Sequence, residues 1–211
     1  MHCRLLAFGA AFLFLTVATR SQSKPVAAAK SSTAPKEDAQ IYRNSTYGFR
    51  YQIPFGWVER TKQLQEGSAD SKGAVLLAVF EHPPEAIGNA INSAVVVAAE
   101  SIESYPGLKK AEDYIGPLTE LATSKGFQAE GDPSVIEIDG RHLVRADFTK
   151  ELGPKKIDDQ AGDEKLTMRQ ATLILLARRQ IVSFTFIAGG EDELDKLMNE
   201  LHFSIAKSSL R

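Results

Sequence analysis

The sequence predicts an α+β protein built on a mostly antiparallel sheet, with helices packed against both sheet faces. Residues 74–80 and 93–99 are unbroken apolar runs, which is typical of central strands that are covered on both sides. Consecutive hairpin signals place sequence neighbours side by side, and strands joined by hairpins pair antiparallel. Two amphipathic segments, within 109–124 and 191–201, provide the helices that cover the sheet.

The N-terminus has the layout of an export signal. Arg4 provides a positive charge, and residues 5–18 form an uncharged, mostly apolar run of fourteen residues. A membrane-spanning helix needs about 20 apolar residues, so this run is short for a span and suits a signal-peptide core. We predict a signal peptide at 1–18, with an uncleaved N-terminal anchor as the alternative. Either way, the rest of the chain is exported.

Beyond the signal, the chain divides into a linker and one domain. Residues 19–40 are rich in Ala, Ser, Lys and Pro and contain no aromatic residue. Such a segment buries too little apolar surface to offset its ordering entropy, so we predict a flexible linker there and a single domain at 41–211. The only cysteine, Cys3, precedes the apolar run, so signal cleavage leaves no thiol for a disulfide or a metal site.

The charge of the domain argues against two classes of partner. The first 40 residues hold five of the 25 basic and two of the 27 acidic residues, which leaves 20 basic against 25 acidic residues in the remainder. A mildly acidic domain without a basic stripe does not fit nucleic acid or an anionic membrane as the main partner.

The aromatic segment at 46–57 is predicted to be the anchor of the sheet. Phe49 and Tyr51 alternate with polar residues and therefore share one face of a strand. We interpret these rings as core residues, since aromatic side chains stabilise sheets by cross-strand packing. The alternative is a small-ligand groove, which requires Tyr51 or Trp57 to be exposed in a concavity. Its candidate lining is Tyr42, Tyr47, Phe49, Tyr51, Phe55 and Trp57.

Turn signals predict three hairpins and two long polar loops. The expected strand pairs are 41–44 with 48–53, 134–138 with 141–148 across Asp139-Gly140, and 166–177 with 180–187 across Arg178-Arg179. Polar segments at 59–72 and 152–165 are predicted to be loops, and 202–205 can add an edge strand. The count is seven or eight strands with two helices.

The boundaries of the two helices follow from capping signals. Pro117 fits the first turn of a helix that begins near Gly116, because its missing N–H is not needed there. Gly126 fits the C-terminal cap of the same helix. The helix at 191–201 begins with three acidic residues, which complement the positive end of the helix dipole.

Residues that could carry chemistry are scattered along the chain. Three histidines remain after signal removal: His82, His142 and His202. None has another histidine or carboxylate at metal-ligand spacing, apart from Glu81 beside the first, so we interpret them as exposed or singly hydrogen-bonded. The carboxylate cluster at 158–164 does not fill the ligand positions of a calcium loop, and we interpret it as a solvated hairpin loop.

No catalytic, cofactor-binding or metal-binding residue is assigned from the sequence. No serine lies in a Gly-x-Ser-x-Gly elbow, and Gly189-Gly190 precedes acidic residues that would repel phosphate. Catalytic carboxylates can be distant in sequence, so the alternative is an enzyme of the hydrolase type. Its site would assemble in space and involve His82 or His142. We favour the non-catalytic interpretation.

Residues 42–57 read Tyr-Arg-Asn-Ser-Thr-Tyr-Gly-Phe-Arg-Tyr-Gln-Ile-Pro-Phe-Gly-Trp. This segment resembles the opening hairpin of the PsbP-like superfamily, in which a Tyr-Gly-Phe stretch leads into a Pro-x-Gly-Trp turn. The resemblance extends over 41–205 by the order of elements and implies an α/β/α sandwich. It also implies a protein that acts by binding a partner, and no functional residue of the family can be matched to this chain.

These observations together predict an exported, non-catalytic binding or assembly module of the bacterial envelope. It would lie in the periplasm or outside the cell, without membrane insertion after signal cleavage. The expected partner is another envelope protein, with no nucleic acid and no cofactor. The sequence predicts neither the identity of the partner nor the oligomeric state.

Overall fold

The computed structural model describes residues 40–67, 73–85, 91–157 and 160–204, without the side chains of 154–165. The strands are β1 Ile41–Asn44, β2 Phe49–Gln52, β3 Val58–Glu59, β4 Gly73–Phe80, β5 Ala94–Ser101, β6 Gln128–Ile138, β7 Arg141–Ile157, β8 Gln160–Ala177, β9 Gln180–Ala188 and β10 Leu201–Phe203. The helices are α1 Thr61–Gly67, α2 Ile115–Ser124 and α3 Glu191–Asn199, and two 3₁₀ turns lie at Ile102–Ser104 and Ala111–Tyr114.

The strands form two antiparallel sheets. The larger sheet has seven strands in the order β3-β4-β5-β9-β8-β7-β6, and the smaller has three in the order β1-β2-β10. Strands β4 and β5 pair antiparallel, as the two apolar runs predict. The predicted α+β class and the mostly antiparallel sheet are therefore confirmed.

One face of the seven-stranded sheet packs against α3 and the three-stranded sheet; we call it the α3 face. Phe49 of β2 packs edge-on against Phe184 of β9, with ring centroids 5.0 Å apart. Phe203 of β10 packs edge-on against the same ring at 5.8 Å. Leu194 and Leu197 of α3 belong to the same buried cluster. The aromatic anchor strand thus joins the two sheets, which is the core role predicted for it.

The opposite face packs against α2 and the 3₁₀ turn before it; we call it the α2 face. Leu118 and Ala122 of α2 are buried in one cluster with Phe148 of β7 and Ile174 of β8. Tyr114, from the second 3₁₀ turn, completes the cluster. Helices therefore cover both faces of the sheet, and this part of the prediction is confirmed as well.

The predicted loop at 59–72 is wrong for residues 61–67, because α1 forms there and covers the part of the β4 edge that β3 leaves unpaired. Residues 68–72 lie outside the described residues. The Thr61 hydroxyl accepts a hydrogen bond from the Ala78 backbone N–H at 3.0 Å. The Gln65 side-chain amide donates to the Val75 carbonyl at 2.7 Å. An uncovered strand edge is a site of aggregation, so these contacts both hold the short helix and protect the sheet.

The predicted loop at 152–165 is also wrong, because strand pairing continues into it. Leu152 pairs with Leu166, and the register is followed as far as Ile157 and Gln160. Backbone pairing does not require apolar side chains, which explains why the polar composition of this segment was misleading. The signal at 1–18 and the linker as far as residue 39 lie outside the described residues. Within the described residues, no helix is long and apolar enough to cross a membrane.

Two local signals are confirmed in detail. Asp139 and Gly140 have φ angles of 48° and 76°, the positive values that a tight Asp-Gly hairpin turn requires. Pro117 lies in the first turn of α2, and the Gly126 N–H donates to the Thr123 carbonyl at 2.9 Å as the helix ends. Both signals are local, so they operate independently of the tertiary structure.

The β8–β9 turn adopts the same conformation with two residues that disfavour it. Arg178 and Arg179 have φ angles of 51° and 61°. A non-glycine residue in this region costs about 1–2 kcal/mol because its Cβ approaches the backbone. Arg179 offsets part of this cost through an exposed ion pair with Glu103 at 3.3 Å, and its carbonyl accepts a hydrogen bond from the Ile102 N–H.

Replacing the turn with Arg178→Asn and Arg179→Gly is expected to stabilise the protein. Asn-Gly suits positive φ at both positions, and we expect a gain of about 1 kcal/mol after the loss of the exposed ion pair. Urea unfolding of the double variant and of the unmodified chain measures this change in the free energy of unfolding.

The control for this experiment is Gly140→Ala. No atom lies within 4 Å of a Cβ added at Gly140, so the substitution tests backbone strain alone. Gly140→Ala should lower the free energy of unfolding by about 1 kcal/mol. Equal or lower stability of the Asn-Gly variant would show that the arginine turn is not strained.

Candidate functional site

The three histidines do not form a site. The side chains of His82, His142 and His202 are 59%, 73% and 40% exposed, and each lies 3.4–3.9 Å from a different carboxylate. His82 follows β4 and His142 lies in β7, four strand spacings away in the sheet. At about 4.8 Å per spacing, this separates them by about 19 Å. A hydrolase site built on His82 and His142 together does not fit this arrangement.

The aromatic strand does not line a groove. Tyr51 is completely buried and Phe49 is 2% exposed, so neither ring can contact a ligand. Trp57 is half-buried and packs against the same core cluster. Phe55 differs from the others because it is 78% exposed. The ligand-groove alternative is therefore wrong for the segment as a whole.

Other polar groups have structural partners. Among the described residues, no three His, Cys, Asp or Glu side chains cluster as metal ligands would. The side chains of the acidic cluster at 158–164 lie outside the described residues. Glu193 accepts hydrogen bonds from the Ser93 hydroxyl at 2.6 Å and from the Gly189 N–H at 3.3 Å, which ties the start of α3 to the residue before β5.

A polar depression of about 250 Å³ lies beside the N-terminus of α3. Arg145 donates to both carboxylate oxygens of Asp147, at 2.8 and 2.9 Å. Arg169 lies 3.0 Å from Glu130 and 3.5 Å from Glu191. Both guanidinium groups are therefore engaged, and the network links α3 to β6 and β8. We interpret it as structural.

A second depression of about 270 Å³ lies on the α2 face, between α2 and the strands β5 and β9; we call it the α2 cleft. It exists because α2 packs over β7 and β8 and leaves part of β5 and β9 uncovered. Leu121, on the helix side, is 54% exposed. The lining consists of Val96, Ala98, Glu100, Tyr114, Leu118, Leu121, Ala122, Lys125, Phe127, Gln170, Ser183 and Thr185.

One end of the α2 cleft carries a carboxylate held by two tyrosines. Glu100 accepts a hydrogen bond from the Tyr114 hydroxyl at 2.9 Å and another from the Tyr105 hydroxyl. The two rings meet edge to face, with centroids 5.1 Å apart. Burial raises the pKa of both tyrosine hydroxyls above the ordinary value, and the hydrogen bond that each donates to Glu100 raises it further.

The floor of the α2 cleft is partly polar. Ala98 pairs with Ser183 and Val96 pairs with Thr185, so small side chains from β5 and β9 alternate along it. Thr185 shares a hydrogen bond of 3.3 Å with the fully buried Thr172 on β8.

The far end of the α2 cleft is marked by Lys125. It lies eleven residues after Tyr114. The ten residues of α2 lie between them and span about 15 Å at 1.5 Å per residue. The α2 cleft is therefore elongated, with an acidic end, an apolar wall and a basic end.

The sequence alone did not predict this site. The sequence pattern places Leu118, Leu121 and Ala122 on the apolar stripe of the amphipathic segment at 109–124, and such a stripe is normally fully buried. Which part of the stripe stays exposed depends on where α2 crosses the sheet. Glu100 stands at the end of an apolar strand, and a carboxylate in that position was the one available signal.

Comparison with known proteins finds similar solved structures at low sequence identity. No protein-family model and no curated protein matches the sequence. The solution structure of cyanobacterial PsbP (CyanoP) from Synechocystis sp. PCC 6803 is 14% identical, covers 78% of this chain and 92% of its own, and has a TM-score of 0.41.

Two further solved structures are similar. The Ran-binding protein Mog1p of Saccharomyces cerevisiae is 9% identical over 79% of this chain and 95% of its own, with a TM-score of 0.42. LpqN of Mycobacterium tuberculosis, involved in cell envelope biogenesis, is 12% identical over 81% of this chain and 88% of its own, with a TM-score of 0.37. The chain is thus similar in structure to solved PsbP-like proteins, at identities and TM-scores too low to carry an argument about its family or function.

The buried tyrosines predict a loss of stability at alkaline pH. Because the folded state raises the pKa of Tyr114 and Tyr51, their contribution is complete below about pH 10 and is lost as the pH rises above it. Each tyrosine adds up to about 1.4 kcal/mol per pH unit to this loss. Tyr114→Phe should flatten the decline, and urea unfolding between pH 8 and 11 measures it. An unchanged slope in this variant would contradict the assignment.

Proposed function

We propose that this chain is an exported, non-catalytic binding module of the bacterial envelope that holds a segment of another protein in the α2 cleft. The observation that carries the proposal is the incomplete cover of the α2 face. Leu121 is 54% exposed beside an elongated depression with a carboxylate at one end. Large apolar side chains exposed in a concavity favour an interaction site.

The size of the α2 cleft favours a protein segment over a whole metabolite. Its volume of about 270 Å³ lies just below the range of about 300–1,000 Å³ that is typical of small-molecule sites. One or two apolar side chains of a partner fit such a space. Glu100 and Lys125 could then receive polar groups at the two ends of the bound segment.

The state of the ionisable groups supports a non-catalytic role. A general base needs a free position beside a substrate, in a pocket that excludes water. The histidines are solvated, and Glu100 already accepts two tyrosine hydroxyls. Arg145 and Arg169 are paired with carboxylates.

The proposed location follows from the N-terminal sequence. Residues 1–18 act as the signal, 19–40 as a flexible tether, and 41–211 as the binding domain. The tether would let the domain reach its partner in the periplasm or outside the cell.

Site-specific photo-crosslinking in intact cells tests this proposal. A benzoylphenylalanine at position 121, in the full chain with its own signal, should give a discrete crosslink to another protein of the envelope fraction. The ring at this position points into the α2 cleft, where the partner segment would lie.

Position 64 is the matched control. Leu64 is a partly exposed leucine at 36%, and it lies on α1, outside the cleft. Crosslinks to the same protein at both positions, or none at position 121, would contradict the proposed site. A crosslink at position 121 that disappears in Ala98→Trp, which fills the cleft, would support it.

A further inference from the structure

The outer face of the three-stranded sheet carries a row of two arginines and a histidine. Arg43 of β1 lies directly opposite Arg50 of β2, and Arg50 lies directly opposite His202 of β10. Alternate residues of β2, Phe49 and Tyr51, are buried in the core, so Arg50 points away from it. We call Arg43, Arg50 and His202 the basic row.

The two arginines of the basic row have no acidic partner in the described part of the chain. Both are exposed, and no ion pair or hydrogen bond involves either side chain within that part. His202 differs, because its Nδ1 lies 3.4 Å from Asp139. Asp139 also accepts a hydrogen bond from the Phe203 N–H at 2.9 Å. Both contacts of this carboxylate are therefore with β10, and it does not neutralise the two arginines.

The arrangement is unfavourable for the isolated fold. Like charges directly opposite each other on neighbouring strands destabilise a sheet. Glu200 is an acidic residue near the row, two residues before His202. Its backbone carbonyl accepts a hydrogen bond from the Gln52 N–H at 3.2 Å, but its carboxylate forms no ion pair with the basic row. Two unpaired arginines directly opposite each other therefore point to a ligand that neutralises them.

We propose that the basic row docks an acidic helical segment of a partner protein. Neighbouring strands are about 4.8 Å apart, so the row spans about 10 Å. Carboxylates at positions i and i+4 of a helix are about 5–6 Å apart, which matches one strand spacing. The planar guanidinium groups of Arg43 and Arg50 pair bidentately with such carboxylates.

A protein segment fits this surface better than an anionic membrane. The chain beyond residue 40 has 20 basic and 25 acidic residues, so an extended anionic surface would repel most of it. The row lies on the sheet that packs on the α3 face, whereas the α2 cleft lies on the opposite side of the seven-stranded sheet. The two surfaces are therefore separate, and the proposal for one can be contradicted without affecting the proposal for the other.

Fluorescence anisotropy on the chain purified from the envelope fraction tests the proposal. The probe is a labelled alanine-based helical peptide with glutamates at i and i+4, and the same peptide with glutamines is the reference. The chain should bind only the glutamate peptide, and binding should weaken as salt is raised from about 20 to about 200 mM because exposed ion pairs are screened.

Arg50→Glu is the decisive variant. It should lower the affinity for the glutamate peptide about tenfold or more, since one attractive pair becomes repulsive. It should also raise Tm by about 1–3 °C, because the introduced carboxylate would face Arg43 with opposite charge. A loss of binding together with a higher Tm cannot result from misfolding.

Two controls separate this inference from general charge effects and from the α2 cleft. Lys62→Glu changes the net charge equally on exposed α1, and Leu121→Asp alters the cleft; both should leave peptide affinity within about twofold. Equal losses in Lys62→Glu and Arg50→Glu, or no peptide binding at the lowest salt concentration, would overturn the proposal. Stronger binding to phosphatidylglycerol vesicles than to the peptide would also overturn it, in favour of a membrane.

Discussion

The packing of Phe49 and Phe203 on Phe184 is the interaction on which the rest of the structure depends. It joins the small sheet to the large one through two edge-to-face contacts, at 5.0 and 5.8 Å. Phe203 follows α3 at the end of the described chain, so the same contact also brings the helix onto the sheet. Because aromatic pairs contribute directional packing beyond their buried area, this cluster fixes the α3 face as a closed core.

The α2 face is closed less completely, and this asymmetry leaves room for function. Its helix is ten residues long and covers β7 and β8, while β5 and β9 retain half-exposed small side chains beside it. A well-covered face resists change because interiors are close-packed. The proposed binding surfaces accordingly lie where other elements do not fully cover the sheets. The α2 cleft is partly covered by α2, and the basic row lies on the exposed outer face of the small sheet.

The sequence predicts features that are determined locally and misses those that depend on distant contacts. The Asp139-Gly140 turn, Pro117 and Gly126 were predicted because each acts through its own backbone conformation. Helix α1 was missed because its hydrogen bonds go to β4. The basic row requires the register of β10 against β2, about 150 positions apart in sequence, which no local pattern encodes. The α2 cleft likewise depends on the position of a helix on the sheet.

The central claim is that the cluster of Phe49, Phe184 and Phe203 maintains the fold, whereas Leu121 belongs to the proposed binding site. Urea unfolding of Phe184→Ala and Leu121→Ser tests it most directly. Phe184 is fully buried, so its truncation should cost about 3–5 kcal/mol. Leu121→Ser should cost less than about 1 kcal/mol, because the side chain is 54% exposed. Comparable losses in the two variants would contradict the claim, since Leu121 would then be part of the core.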